Sequence, residues 1–84
     1  MYVTTRGIVF RQTKFSDTSL VVKIYTEDSG LGSYMVKGAR GPKAKTRASL
    51  FQPLSLLDLV VSEHHKSDLQ YIREARIHHP YQDI

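Results

Sequence analysis

Apolar residues return at every second position through much of this chain, a period that specifies β-strands and disfavours amphipathic helices. Leu20, Val22 and Ile24 alternate with Val21, Lys23 and Tyr25, and Leu57, Leu59 and Val61 alternate with Asp58 and Val60. Successive side chains of a strand point to opposite faces, so each set of three predicts one buried face. With only 84 residues, the chain has room for a single small core.

Five strands follow from that period and from the turn residues that interrupt it. The first spans Thr4–Thr13, rich in β-branched and aromatic types, and stops at Lys14-Phe15-Ser16-Asp17. The second spans Ser19–Thr26 with Leu20, Val22 and Ile24 inward. Glu27-Asp28-Ser29-Gly30-Leu31-Gly32 supplies hairpin material, and a third strand covers Ser33–Lys37. Gly38, Gly41 and Pro42 then forbid a regular strand, while Pro42 can open a helix of one or two turns through Ala48. The fourth strand reads Pro53–Ser62 and the fifth Leu69–Ile77. Ile72 is out of phase with Leu69, Tyr71, Ala75 and Ile77, which predicts a bulge.

Three strands, a short irregular or helical link, and two more strands are the order of an all-β, five-stranded Greek-key barrel of the oligonucleotide/oligosaccharide-binding (OB) type. An SH3-like barrel also accommodates five short strands, but the long link after strand three favours the OB-fold. The binding surface of that fold runs across the outer face of strands two and three. Inward Leu20, Val22 and Ile24 place Lys23 and Tyr25 outside. Inward Tyr34 and Val36 place Met35 and Lys37 on the same outer face.

Charge is concentrated. Between Lys37 and Arg47 lie Lys37, Arg40, Lys43, Lys45 and Arg47, five of the twelve basic residues, with no acid among them. The other 73 residues are close to neutral, with seven basic and eight acidic groups. One basic segment on a balanced surface is the electrostatic footprint of a polyanion binder, although a solvated basic loop has the same composition. Lysines and arginines would track phosphates and tyrosines would stack bases, so Lys37, Arg40, Lys43, Lys45, Arg47, Lys23 and Tyr25 form the expected nucleic-acid site. Tyr25 and Tyr34 equally suit cross-strand packing, and the cations carry more weight.

Other chemistries lack their residues. The absence of cysteine excludes a disulfide framework, a thiolate metal site and a cysteine nucleophile. His64-His65 and His78-His79 are adjacent pairs whose side chains diverge in a strand, so no metal is expected. Asp17, Asp58 and Glu74 are isolated acids, Asp17 being suited to a turn. Ser16, Ser19 and Ser29 have no recognisable base, and Lys-Gly-Ala-Arg-Gly-Pro-Lys is not the order of a phosphate loop. No enzyme and no cofactor are expected. No apolar run approaches the ~18 residues of a membrane helix, and Met1-Tyr2-Val3-Thr4-Thr5-Arg6 lacks a signal-peptide layout, so no membrane partner is expected.

Six patches taken together are more specific. Thr5-Arg6-Gly7-Ile8-Val9, Ser16-Asp17-Thr18-Ser19-Leu20, Tyr25-Thr26-Glu27, Lys37-Gly38-Ala39-Arg40, Gln52-Pro53-Leu54-Ser55-Leu56-Leu57 and Ile72-Arg73-Glu74-Ala75 occur in this order. The chain thereby resembles the N-terminal domain of the RecO family of bacterial DNA repair proteins, in the version found in Bacteroidetes. The resemblance implies an OB-fold over residues 1–79 and, in 80–84, the start of a linker to a helical C-terminal domain that this chain does not include. It implies binding of single- and double-stranded DNA, strand annealing and recombinase loading in the DNA damage response, within the bacterial cytoplasm and at the nucleoid. Family basic residues at the end of strand three map onto Lys37, Arg40 and Lys43, with Lys45 and Arg47 following by charge. Contact with RecR is associated with this domain, whereas contact with single-strand-binding protein belongs to the helical part. The competing reading is a protein-interaction barrel that docks a partner on Val21 and Met35 without touching nucleic acid.

Overall fold

The computed structural model describes residues 2–39, 48–62 and 69–78. Five strands, β1 (Tyr2–Lys14), β2 (Leu20–Thr26), β3 (Gly30–Val36), β4 (Leu56–Ser62) and β5 (Leu69–Ile77), close into a barrel in the order β1-β2-β3-β5-β4. All neighbours are antiparallel except β3 and β5, which run parallel. A single turn of 3-10 helix, Ala48–Leu50, lies in the link between β3 and β4. This is the all-β architecture expected from the sequence, a closed five-stranded barrel of OB type.

Strand β2 keeps Leu20, Val22, Ile24 and Thr26 buried, and β4 does the same with Leu57, Leu59 and Val61. They meet Val9, Tyr34, Val36 and Ile72 in one core. The edges differ locally from expectation. Strand β3 begins at Gly30 rather than Ser33, because Gly30 adopts φ +74° after the three-residue loop Glu27-Asp28-Ser29 and pairs with Thr26. The Thr26 hydroxyl accepts from Ser29 N–H at 3.1 Å and lies 3.2 Å from the Gly30 carbonyl it donates to. Strand β4 starts at Leu56 rather than Pro53, since Pro53 has no N–H and Leu54 takes φ +72°. The Leu54 N–H still reaches the Val9 carbonyl at 2.7 Å, and the Val9 N–H reaches Ser55 at 3.0 Å.

Two irregularities shape the barrel. Along β5, Ile72 pairs with Val61 while Glu74 pairs with Val60, leaving Arg73 as the extra residue. This is the bulge that the phase of Ile72 predicts, and it returns Ala75 to the core side. Along β1, Val9 pairs with Ile24 and Arg11 with Lys23, so Phe10 is the extra residue. The phase shift turns Gln12 inward, where its Nε2 donates to the carbonyls of Phe51 at 2.8 Å and Ala48 at 3.2 Å. Gln12 thereby fastens fully buried Phe51 and the 3-10 turn as a plug at the end of the barrel where β3 finishes.

Candidate nucleic-acid interface

The basic segment departs from the barrel at Lys37. Exposed Lys37 follows β3 directly, Gly38 turns the chain at φ +70°, and Ala39 is buried in the core. The Ala48 N–H donates to the Ala39 carbonyl at 3.1 Å, so both ends of the segment are pinned at one place. Arg40, Lys43, Lys45 and Arg47 lie outside the described residues, as does most of the helical turn expected from Pro42.

Lys23 and Tyr25 stand on the outer face of β2 as the alternation requires. The Lys23 ammonium is 3.3 Å from the hydroxyl of its cross-strand neighbour Ser33. Tyr25 is 54% exposed and faces Leu31 on one side and Ile8 on the other. It does not lie beside Lys37. Leu20 pairs with Val36 at the end of β2 nearest Lys37, and Tyr25 is five residues further along, a separation of about 17 Å at the usual strand rise. Met35 corrects the expectation more sharply, being only 5% exposed. It lies on the outer side of β3, apart from the core cluster, yet is covered there, flanked in register by Val21 and Tyr71. Tyr34, by contrast, is core.

The aromatic ring that accompanies Lys37 comes from β5. The Lys37 Nζ sits 4.9 Å from the centroid of Tyr71. A second pair lies nearby, with the Arg73 guanidinium 4.5 Å from the centroid of Tyr2. Tyr2 pairs with Ser62 and Ser62 pairs with Tyr71, so the two residues sit in one cross-strand row, their backbones two strand spacings or about 10 Å apart. The bulge accounts for Arg73: lacking a partner on β4, it is re-aimed across the end of that strand toward Tyr2. Alternation about Ile72 puts Tyr71 and Arg73 on the outer face, but nothing in the sequence says which strand lies alongside.

Two charged groups elsewhere are paired. Arg6 forms an ion pair with Glu27 at the hairpin end of the barrel. Asp58 faces Arg76 in register and receives the Nδ1 of His78 at 3.1 Å. His78 is thus engaged by a carboxylate, while His64, His65 and His79 lie outside the described residues. Among the described residues no cluster of three metal-ligating side chains occurs, and no helix is long and apolar enough to cross a membrane.

The apolar positions that project into solvent are not those expected. Val21 is half-buried and Met35 covered, whereas Leu56, Ile8, Tyr25 and Leu31 form an exposed ribbon running in register over β4, β1, β2 and β3. The ribbon shares a shallow groove with Arg6, Gly7 and Glu27.

The family model described as recombination protein O, N terminal, matches residues 1–81. The DNA repair protein RecO of Christiangramia forsetii is 34% identical over 85 residues, covering 100% of this chain and 36% of the relative. The DNA repair protein RecO of Bacteroides fragilis is 39% identical over 80 residues, covering 95% and 33% respectively. That of Flavobacterium johnsoniae is 36% identical over 85 residues, covering 100% and 36%. The chain therefore spans about a third of the length of these relatives.

Proposed function

We propose that this chain, which belongs to the recombination protein O N-terminal family, is a non-catalytic DNA-binding module acting in bacterial DNA repair. It grips the sugar–phosphate backbone of single- and double-stranded DNA with Lys37, Arg40, Lys43, Lys45 and Arg47, assisted by Lys23, and so supports strand annealing and recombinase loading at the nucleoid. The observation that carries this reading is a run of five cations without an acid, anchored beside Lys37. Phosphate neutralisation releases counterions, so affinity must fall steeply with salt.

The test is a titration of labelled oligonucleotide over a range of ionic strength. Five single-strand contacts predict a slope of log K against log salt near −3.5, from about 0.7 per contact. A flat dependence would rule out the reading. Replacing Lys37, Arg40 and Lys43 by glutamate is expected to abolish binding.

The exposed ribbon favours a protein contact as well. Leu56, Ile8, Tyr25 and Leu31 have the apolar and aromatic composition of an interface core, remote from Lys37, and a partner such as RecR would dock there. This moves Tyr25 from the DNA surface to the protein surface. Tyr25→Glu with Leu31→Glu should then block partner capture and spare DNA binding, the converse of the Lys37, Arg40 and Lys43 replacements.

A further inference from the structure

We propose that Tyr2 and Tyr71 form a two-ring platform on which unpaired bases stack, so that this end of the barrel selects single-stranded DNA. The proposal rests on the reading of the chain as a DNA-binding module and names what the basic segment alone cannot distinguish.

Four features converge on it. Both rings are open to solvent at the level of a contact surface, Tyr2 at 56% and Tyr71 at 36% exposure, although each has an apolar body that burial would favour. Each carries its own cation: Lys37 over Tyr71 and Arg73 over Tyr2. The residue between them in the row is Ser62, buried and small, so nothing bulky from β4 stands between the two rings. Finally, Lys37 is the first residue of the basic segment, which makes the platform continuous with the proposed phosphate path.

The pairing of ring with cation suits a nucleotide. A cation–π contact at an exposed ring is weaker than the stacking of a base on it. An arriving base therefore displaces the cation, and the freed ammonium or guanidinium is left within reach of the phosphate attached to that base. Duplex DNA cannot use the rings, because its bases are already stacked and their faces closed. The platform also has a boundary. Glu74 follows Arg73 on β5, an acid at the edge of the platform that repels phosphate and turns the strand back toward Lys37.

The experiment compares an oligothymidylate with an abasic strand of the same length, both bearing the full set of phosphates. The unmodified protein should bind the oligothymidylate more tightly, and only that strand should quench its tyrosine emission. Tyr71→Leu and Tyr2→Leu should each weaken oligothymidylate binding roughly 5- to 150-fold. Neither should change binding of the abasic strand or the salt slope. Tyr71→Phe and Tyr2→Phe, which keep the ring, should restore the affinity. Equal binding of the two strands by the unmodified protein, with a steep salt dependence, would overturn the platform and leave the phosphate reading standing. Failure to bind either strand would overturn both. If the leucine variants do not fold, the strand comparison on the unmodified protein still decides.

Discussion

Ile24 occupies the space that a side chain at Gly7 would need. A Cβ placed on Gly7 would lie 2.5 Å from the Ile24 Cγ2 and 3.1 Å from the Tyr25 carbonyl oxygen. Strands β1 and β2 approach inside the barrel at this point, where Ile24 is fully buried and has no room to withdraw. Gly7→Ala should therefore destabilise the fold by about 1–3 kcal/mol, the usual cost of overpacking a core. In a chain of this size that is a fall of at least roughly 4 °C in Tm. An unchanged or raised urea midpoint would contradict it.

Gln12 holds the plug. Its amide is the donor for both the Ala48 and the Phe51 carbonyls, and a methionine of similar shape has none to give. Gln12→Met should cost about 1–3 kcal/mol, the penalty for leaving the Phe51 carbonyl without its donor in a partly buried place, while the Ala48 carbonyl keeps the Phe51 N–H. Amide hydrogen exchange should show faster opening at Ala48 and Phe51, whose backbone N–H groups report on that turn. Stability equal to that of the unmodified protein would mean that Phe51 is held by its burial alone.

Leu54 is 81% exposed and has a left-handed backbone, φ +72°. That conformation costs a non-glycine residue about 1–2 kcal/mol, and the exposed side chain regains little by burial. Glycine removes the strain at the expense of a more flexible unfolded chain. Leu54→Gly should raise stability by about 0.5–1 kcal/mol, which thermal unfolding would detect. A lowered Tm would indicate that the leucine packs in a way its exposure does not suggest.

Neutralising single cations tests whether they act on phosphate. Lys37→Ala should flatten the salt slope for single strands by about 0.7, and Arg40→Ala and Lys43→Ala should do likewise. Arg6→Ala is the control, because Arg6 is already paired with Glu27 at the hairpin end. The Arg6–Glu27 pair is largely exposed, so its loss should also cost at most about 1 kcal/mol of stability. A slope that changed equally for Arg6→Ala and Lys37→Ala would show a general charge effect with no localised site.

Much of the barrel is legible residue by residue. Leu20, Val22, Ile24, Leu57, Leu59 and Val61 are inward because period two leaves no other choice, and the slip at Ile72 becomes the bulge at Arg73. The bulge at Phe10 escapes notice because Ile8, Val9 and Phe10 are all apolar, so no break in alternation marks the extra residue. Strand ends are less legible at Gly30 and Pro53, where positive φ at Gly30 and Leu54 decides whether pairing continues.

The linear order of residues determined the strand succession, the buried faces and the confinement of excess positive charge to one segment, since each depends on neighbours along the chain. Tertiary structure alone decided which outer faces meet. Parallel pairing of β3 with β5 brings Tyr71 beside Met35 and under Lys37, and closure of β1 on β4 brings Tyr2 within reach of Arg73. Those contacts join residues more than thirty positions apart. Alternation tells a side chain whether it points in or out, but barrel closure selects its neighbour, and a cation beside an aromatic ring exists only after that selection.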